Sequence, residues 1–354
     1  MRVVIVGGSG NAGTALLRRL RQEPDVEVVG VSRRVPPADG TEWHSCDIGA
    51  ADAESRLAAV FAGADAVVQL AWQIQPSHDR KQLFRTNVLG TRNVVSAALA
   101  AGVRSVVVAS SVGAYAPGPK DAYVTEEWPA TGIVESSYST HKALVEKMLD
   151  DVERDRPELR VVRLRPGLIF QRSAGTEIGR YFAGPLLPAR LLKAQRIPVV
   201  PAHPSLRVQA VHADDVADAY AKALLSDVRG AFNVAAAPVL DTTLAARLFR
   251  GIPLPVPAVL LNAAADLSWR LRLQPVDAGW VQMGLKAPLM SCDRIARELA
   301  WAPTRDAIQT LREFIDGLAD RAHDDFPPLS GDPAAPGRLR GLLHGRLPGT
   351  GNPY

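Results

Sequence analysis

The sequence has few cysteines, no long apolar run and little excess charge. Cys46 and Cys292 are its only cysteines, which excludes a disulfide framework and predicts a reducing compartment. No apolar run approaches the roughly 18 residues of a membrane span. The apolar run after Arg2 is too short for a signal peptide. We therefore expect a cytoplasmic protein with no membrane partner.

Charge and histidine spacing exclude two further classes of site. The 41 Lys and Arg against 37 Asp and Glu leave a net charge of only +4, and no basic block occurs. The seven histidines show no ligand spacing with cysteines or carboxylates, so we expect no metal site. Hydrophobic residues make up 47% of the chain, as in ordinary globular proteins. The expected partner is a small molecule rather than a nucleic acid.

A glycine-rich turn follows the first apolar run. Residues 2–6 read as a strand and residues 14–22 as a helix, with three spaced glycines between them. Gly7 permits a tight turn, Gly10 lets the backbone approach a pyrophosphate, and Gly13 lets the helix pack on the strand. The helix N-terminus offers free N–H groups to phosphates. We assign to cofactor binding the turn residues Gly7, Ser9, Gly10, Asn11, Ala12 and Gly13.

The end of the second predicted strand bears on the cofactor. The run Val26 to Val31 ends in Ser32, Arg33 and Arg34, where dinucleotide folds often place an acid for the ribose 2′-hydroxyl. No acid is present here, and arginine pairs bidentately with a phosphate. The three residues are predicted to favour NADP(H). The alternative is that both arginines are solvated and the cofactor is NAD(H).

Two more predicted strands end in candidate site residues. The run 65–70 delivers Leu70, Ala71 and Trp72, and the run 105–109 delivers Ser110 and Ser111. Open α/β sheets bind ligands at the carboxyl ends of their strands. Trp72, with Gln73 and Gln75 after it, would face cofactor or substrate, or would be a loop residue. A serine there would hydrogen-bond a substrate carbonyl, or would form a turn.

Tyr138 and Lys142 are four residues apart in a segment of good helix formers. Residues at this spacing share one face of a helix, so the phenol and the ammonium would face one cavity. A nearby positive charge lowers the pKa of a phenol, which is otherwise about 10 and too high for a base. The pair is a candidate acid/base site; the alternative is a solvated helix face.

Six or seven strands alternate with helices up to about Gly167, which predicts a Rossmann-type doubly wound parallel sheet of the α/β class. Residues 1–167 and about 205–237 form the expected dinucleotide-binding domain. Residues 168–204 and 238–325 form a smaller, mostly helical C-terminal substrate lobe. Residues 326–354 are rich in Pro, Gly and Arg and are expected to be a loose tail.

Eight motifs in order over residues 1 to about 235 resemble the extended short-chain dehydrogenase/reductase family, also called the NAD-dependent epimerase/dehydratase family. They are GGSGNAG, Asp47-Ile48, LAW, TNVLGT, SSVGAY, YSTHK, RPG and VHADDVA. The resemblance implies catalytic roles for Ser111, Tyr138 and Lys142 and for Asn87 of TNVLGT. It also implies a homodimer through the helices near 87–101 and 138–150.

The resemblance also implies further cofactor contacts. Asp47 and Ile48 match the positions that contact adenine, and Leu70 and Ala71 those beside the ribose and nicotinamide. Ser111 would hold a substrate oxygen while Tyr138 gives or takes its proton. Lys142 would lower the pKa of the phenol and bind the nicotinamide ribose. The remaining residues expected at the cofactor are Trp72, Ala109, Ser110, Pro166 and Gly167.

Departures from the family narrow the substrate. Where the 4,6-dehydratases carry an Asp-Glu pair, this chain has Val112 and Gly113, which disfavours β-elimination. Where nucleotide-sugar binders have an Asn and an Arg, it has Arg165 and Val208. We therefore expect an NAD(P)-dependent oxidoreductase acting on a carbonyl or secondary alcohol. The alternatives are a nucleotide-sugar epimerase and a non-catalytic NADP-sensing regulator.

Overall fold

The computed structural model describes residues 1–74, 77, 79–179, 181, 196–271, 276–327 and 329–330. Gln75 and most of the predicted tail, residues 331–354, lie outside these ranges. So does part of the first lobe segment, residues 180 and 182–195.

A seven-stranded parallel sheet forms the centre of the described fold. Its strands are β1 (Arg2–Val6), β2 (Glu27–Ser32), β3 (Glu42–Ser45), β4 (Ala66–Gln69), β5 (Ser105–Ala109), β7 (Arg160–Pro166) and β11 (Gly230–Val234). They lie in the order β11-β7-β5-β4-β1-β2-β3, and every neighbouring pair is parallel. The prediction of a Rossmann-type doubly wound sheet is confirmed.

Helices cover both faces of this sheet. They are α1 (Asn11–Leu20), α2 (Ala53–Phe61), α4 (Gly90–Ala100), α5 (Ser137–Asp155) and α7 (Ala213–Leu224). The short helix α3 (Arg80–Phe84) leads into a π-helical turn at Arg85–Leu89, and α6 (Gly175–Ile178) packs on the C-terminal part of the chain. Along β1 the side chains alternate between two cores: Val3 and Ile5 pack toward α1 and α7, and Val4 and Val6 toward α2, α4 and α5. Apolar residues on both faces of a strand are typical of a buried parallel sheet.

The remaining strands lie outside the main sheet. They are β6 (Tyr123–Val124), β8 (Leu168–Phe170), β9 (Val199–Ala202), β10 (Arg207–His212), β12 (Ala236–Asp241), β13 (Ile252–Pro255) and β14 (Leu289–Met290). β12, β10 and β8 form a three-stranded sheet, and β9 pairs with β13. β10, which we placed in the dinucleotide-binding domain from the sequence, thus lies in a separate sheet.

Five further helices follow α7 in the part of the chain that the structure describes. They are α8 (Thr242–Leu248), α9 (Ala258–Arg270), α10 (Ala278–Lys286), α11 (Asp293–Leu299) and α12 (Ala307–Ala319). α9 packs on α10, α10 contacts α5, and α12 packs on β10 and β12. The lobe therefore combines small sheets with helices around the carboxyl edge of the main sheet.

The glycine turn between β1 and α1 is very tightly packed. Gly7 has φ +87°, in the left-handed region that favours glycine. A Cβ added to Gly13 would lie 2.5 Å from the Gly7 carbonyl oxygen. A Cβ on Gly10 would meet that oxygen only at 3.5 Å, an ordinary contact. Gly13 is therefore required for packing, whereas the fold itself leaves room at Gly10.

Gly13→Ala should lower the free energy of unfolding by about 1–3 kcal/mol, because the added methyl overlaps backbone on both sides of the turn. Gly10→Ala is the matched control and should cost less than about 1 kcal/mol, since this N-cap residue has φ −84°, open to alanine. Urea unfolding of both variants measures the difference. Equal losses in the two would contradict the packing argument.

Candidate functional site

The glycine turn lies where a pyrophosphate would sit, at the N-terminus of α1. Gly10 is the N-cap of the helix and has no side-chain cap. The N–H groups of the first helical turn therefore point toward the turn without an intrahelical acceptor. The Asn11 side chain is turned away, since its amide donates to the Ile169 carbonyl and its Oδ1 accepts from Gln171 at 2.8 Å. Backbone rather than the Asn11 amide is thus available to phosphates.

The predicted 2′-phosphate residues follow β2 directly. Ser32 is buried and donates its hydroxyl to the Arg34 carbonyl at 2.7 Å, which shapes the turn. Ser45 at the end of β3 donates to the Arg33 carbonyl at 3.1 Å. Both arginine side chains are exposed, and within the described part of the chain neither has an ion pair. Two guanidinium groups thus lie free of carboxylates beside the β2 end.

Asp47 and Ile48 lie after β3, at the side expected for adenine. Asp47 accepts from the Gly49 N–H at 3.0 Å and pairs with Arg85 at 3.3 Å. Ile48 is buried beneath Gly90, where an added Cβ would meet its side chain at 2.6 Å. Its carbonyl accepts from Asn93 at 2.9 Å. Ile48 therefore forms an apolar floor, and Asp47 holds the loop around it.

Tyr138 and Ser111 meet across the carboxyl edge of the sheet. Ser111 follows β5, and its Oγ accepts from the Gly113 N–H at 3.0 Å. The Tyr138 ring lies beside this turn, since a Cβ added to Gly113 would be 2.9 Å from its Cε1. Ser139 holds this arrangement, since its hydroxyl donates to the Gly113 carbonyl and accepts from the Ile133 N–H. The structure thus brings together the two predicted groups that would contact a substrate oxygen.

Lys142 is almost fully buried, with 2% of its surface exposed. Its Nζ donates to the Ala109 carbonyl at 2.7 Å, at the end of β5. The indole ring of Trp72 lies against the ammonium, with its centroid 3.5 Å from Nζ. Burial lowers the pKa of Lys142 to about 7, although the Glu146 carboxylate partly opposes this. The lysine is therefore close to half protonated near neutral pH.

The pKa of Tyr138 differs from the expectation. Burial raises it to about 12, and the hydrogen bond with Ser111 only partly offsets this rise. Trp72 meets the phenol ring edge-on at 5.9 Å, and Trp280 lies 5.0 Å away. In this structure Nζ of Lys142 lies 5.8 Å from the ring centroid and donates to the Ala109 carbonyl. A lowering of the phenol pKa by Lys142 stays a prediction for the protein with its cofactor bound.

Asn87 lies in the π-helical turn Arg85–Leu89, and such turns are frequent at functional sites. Its Oδ1 accepts from the Gln73 N–H at 2.7 Å, and its Nδ2 donates to the Gln73 carbonyl at 3.0 Å. The buried amide therefore fixes the segment after β4. Asn87 positions the loop that presents Trp72, and it also lines a small cavity beside Tyr138 and His141.

The other predicted cofactor residues lie along the same edge of the sheet. Ala71 is close to the glycine turn, since a Cβ on Gly7 would lie 2.5 Å from its nitrogen. Leu70 donates its N–H to the Val6 carbonyl at 2.8 Å. Pro166 ends β7, and the Gly167 N–H donates to the Val234 carbonyl at 3.0 Å. These residues thus surround the ends of β1, β4 and β7.

A buried charge network beneath the site was missed by sequence reasoning. Glu146 is 1% exposed, and Arg165 binds both of its oxygens at 2.8 Å. Arg163 binds it at 3.0 Å, and Ser110 donates its hydroxyl to it. Burial raises the pKa of Glu146, but these partners outweigh it and lower the pKa to about 2. Glu146 is therefore a carboxylate throughout the physiological range.

Spacing could have revealed this network. Arg163 and Arg165 are two apart on a strand and so share a face, and Glu146 follows Lys142 by one helical turn. Ser110, predicted from the sequence to contact the cofactor, donates its hydroxyl to Glu146. Arg165 also donates to the Tyr115 hydroxyl at 3.0 Å, so its side chain is turned into the core.

Membrane-spanning helices and metal-binding clusters are both absent from the described ranges. None of the helices resolved in those ranges is both long and apolar enough to cross a bilayer. Among the same residues, no three His, Cys, Asp or Glu side chains gather in a metal-binding arrangement.

Comparison with known families and curated proteins gave two kinds of relative. The NAD dependent epimerase/dehydratase family matches residues 3–235. An uncharacterised protein of Mycobacterium tuberculosis is 28% identical over 327 residues, covering 91% of this chain and 30% of that protein. The sterol-4-alpha-carboxylate 3-dehydrogenase (decarboxylating) of Saccharomyces cerevisiae is 29% identical over 182 residues, 48% of this chain and 51% of the enzyme. This chain thus spans less than two thirds of either relative.

Solved structures share the fold. The UDP-glucose 4-epimerase of Thermus thermophilus, in complex with NAD, has a TM-score of 0.66 at 22% identity, covering 90% of this chain and 99% of that one. The dTDP-glucose 4,6-dehydratase of Streptomyces venezuelae, with NAD bound, has a TM-score of 0.68 at 19% identity. That match covers 93% of this chain and 100% of the dehydratase chain.

The buried ammonium predicts a pH-dependent stability. Lys142 has a pKa of about 7 when folded and 10.5 in the absence of burial. Between these values the unfolded chain binds one more proton, so the free energy of unfolding should rise with pH by at most about 1.4 kcal/mol per unit. Lys142→Met should remove this rise and be more stable than wild type at pH 7.

Chemical unfolding between pH 7 and pH 9 measures this slope. Lys147→Met on the exposed side of α5 is the control and should follow wild type. The same pH slope in Lys142→Met and wild type would show that the ammonium is not the source.

Proposed function

Because the chain belongs to the NAD dependent epimerase/dehydratase family, we propose that it transfers hydride between a nicotinamide cofactor and a carbonyl or secondary alcohol. The observation that carries this is the meeting of Ser111, Tyr138 and Lys142 at the carboxyl edge that also presents the glycine turn. The predicted family, and with it an enzyme of the extended short-chain dehydrogenase type, is confirmed.

The residues present fit a dinucleotide. The turn from Gly7 to Gly13 exposes backbone N–H groups and leaves room at Gly10 for close approach. Ile48 gives an apolar floor for a base, and Arg33 and Arg34 offer two unpaired cations. When bound, the nicotinamide would supply or accept the hydride.

Side chains of this protein could supply the proton that a substrate oxygen takes up during carbonyl reduction. Ser111 would donate its hydroxyl to the substrate oxygen, because its Oγ accepts from the Gly113 N–H and lies beside Tyr138 at the carboxyl edge of the sheet. With a pKa of about 12 the phenol is protonated at neutral pH, so it can protonate that oxygen when a carbonyl is reduced. The reverse reaction needs the phenolate and should be favoured by high pH. Lys142 holds the end of β5 beside it.

A dehydrogenase is preferred over a dehydratase. Val112 and Gly113 lie in a short 3₁₀ turn beside Tyr138, where a Cβ on Gly113 would lie 2.9 Å from the phenol ring. This position offers no carboxyl group for β-elimination. The yeast relative is named a 3-dehydrogenase, which also supports oxidation or reduction at carbon–oxygen bonds.

A nucleotide-sugar epimerase is the second candidate. The sequence argument against it rested on Arg165 and Val208. Arg165 is buried against Glu146, and Val208 packs on a small core around Ala210, so neither side chain is part of the candidate site. Net oxidation of the reduced cofactor distinguishes the two, since an epimerase returns its hydride to the substrate.

The free arginines predict NADPH over NADH. Arg33→Gln with Arg34→Gln should raise KM for NADPH at least about tenfold, because charge-assisted hydrogen bonds to the 2′-phosphate are lost. KM for NADH should change little. Arg92→Gln, an exposed arginine on α4, is the control. A wild-type preference for NADH would overturn the assignment.

Tyr138→Phe tests the proton donor. It should lower kcat about 10²- to 10⁴-fold in a screen of carbonyl substrates with NADPH, because the acid is removed while the ring remains. Cofactor affinity, measured by fluorescence titration, should be unchanged. Tyr123→Phe changes a tyrosine that is 60% exposed and should behave as wild type. Near-wild-type turnover by Tyr138→Phe would rule the role out.

A further inference from the structure

Helix α9 presents an apolar face to solvent. Val259, Leu260 and Leu267 are 76%, 58% and 59% exposed, and Leu271 just after the helix is 59% exposed. With 3.6 residues per turn these side chains lie on one stripe, together with exposed Ala263 and Ala264. No residue of α9 is buried. A surface helix normally turns such a stripe toward the core.

The opposite side of α9 is the side held by the protein. The helix packs on α10. On this side the Arg80 guanidinium lies over the Trp269 ring, 6.0 Å from its centroid. The charged pair of α9, Asp266 and Arg270, lies at the edge of the apolar stripe, and its two side chains bind each other at 2.9 Å. The apolar stripe is therefore the outer surface of the lobe rather than its packing face.

The stripe continues into the β9–β13 ribbon. Ile252 and Leu254 are 72% and 53% exposed, and Val199 opposite Ile252 is 48% exposed. Ile252 and Leu254 are two apart and so project from the same face of the strand. Val256 links the ribbon to α9 and donates its N–H to the Ala202 carbonyl at 2.9 Å. Exposed apolar surface of this extent marks an interaction site.

Arginines without acidic partners border the ribbon. α8 packs on β9 and β13, and a cavity of about 510 Å³ between α8 and α12 is lined by Arg247, Arg250 and Arg312 around apolar side chains. All three arginines are exposed, and over the described ranges none forms an ion pair. The described residues that line this cavity include no acid. The charged side chains among the described lining residues are thus all positive.

We propose that this surface docks the protein on a membrane with anionic lipid headgroups. The stripe of α9 and the ribbon would enter the boundary between headgroups and acyl chains, and the arginines would meet phosphates. A second copy of the chain fits less well, because a two-fold interface through this surface would bring Arg247, Arg250 and Arg312 of both copies toward one another.

The absence of a membrane-spanning segment does not argue against docking at this surface. No membrane partner was expected from the sequence, because no apolar run is long enough to span a bilayer. That criterion leaves open a helix that lies in the interface, where an apolar face and flanking basic residues suffice. The proposal does not rest on the enzymatic function, so either can fail alone.

Co-sedimentation with lipid vesicles tests the docking. Wild type should sediment with phosphatidylcholine vesicles in which roughly a third of the lipid is phosphatidylglycerol, and less with phosphatidylcholine alone. High salt should weaken the binding, since the arginine contribution is screened. Absence of wild-type binding to both kinds of vesicle would overturn the proposal.

Two sets of variants separate the apolar and the charged parts. Leu260→Gln with Leu267→Gln should weaken vesicle binding about tenfold or more on both lipids. Arg247→Gln with Arg250→Gln should weaken it about fivefold per arginine on the anionic vesicles only. The matched controls, Val134→Gln with Leu225→Gln and Arg92→Gln with Arg297→Gln, change exposed side chains of the same kinds elsewhere and should bind as wild type.

Two outcomes would count against the membrane surface. Undiminished vesicle binding by Leu260→Gln with Leu267→Gln would show that the stripe is not inserted. A wild-type dimer in sedimentation velocity that this variant converts to monomer, without vesicle binding by either, would show that the stripe is covered by a second copy. Thermal unfolding of every variant checks that the fold is kept.

Discussion

The buried carboxylate of Glu146 determines where the candidate catalytic helix sits. Burying a carboxylate away from water costs free energy. It is tolerated here because two guanidinium groups and a hydroxyl donate hydrogen bonds to its oxygens. Those partners come from the end of β5 and from β7, so α5 is held to the central sheet in one rotation. Lys142, one turn before Glu146, is thereby directed at the Ala109 carbonyl.

The same network explains the unusual protonation states above it. Because Arg163 and Arg165 already neutralise Glu146, little negative charge is left to hold a proton on Lys142, and burial lowers the pKa of Lys142 to about 7. The phenol of Tyr138 in turn gains little from that ammonium, and burial raises its pKa to about 12. The phenol therefore keeps its proton at neutral pH, and a proton donor is what the reduction of a carbonyl requires.

Local patterns in the sequence were sufficient for the framework. The β-branched runs predicted β1 and β5 with their observed ends. The glycine spacing predicted the turn in which Gly13 is required for close packing. The four-residue spacing placed Tyr138 and Lys142 on one helix face, because that relation depends only on helix geometry. These predictions needed no knowledge of distant contacts.

Contacts between distant segments were not predictable in the same way. The position of Trp72 on the Lys142 ammonium depends on how the loop after β4 is tied to Asn87. The rise in the pKa of Tyr138 depends on burial by Trp72 and Trp280, which come from two distant segments. The separate pairing of β10 with β8 and β12 also depends on tertiary packing, since an apolar run alone does not determine which strand it pairs with.

The C-terminal lobe links the candidate site to the outer surface of the protein. α10 forms one wall of the site, since its Trp280 stacks near Tyr138 and its Met283 sulfur would lie 3.1 Å from a Cβ added to Gly113. The other side of α10 carries α9, whose outer stripe is apolar. Because close-packed helices resist deformation, the packing of α9 on α10 helps to fix Trp280 and Met283 beside the phenol.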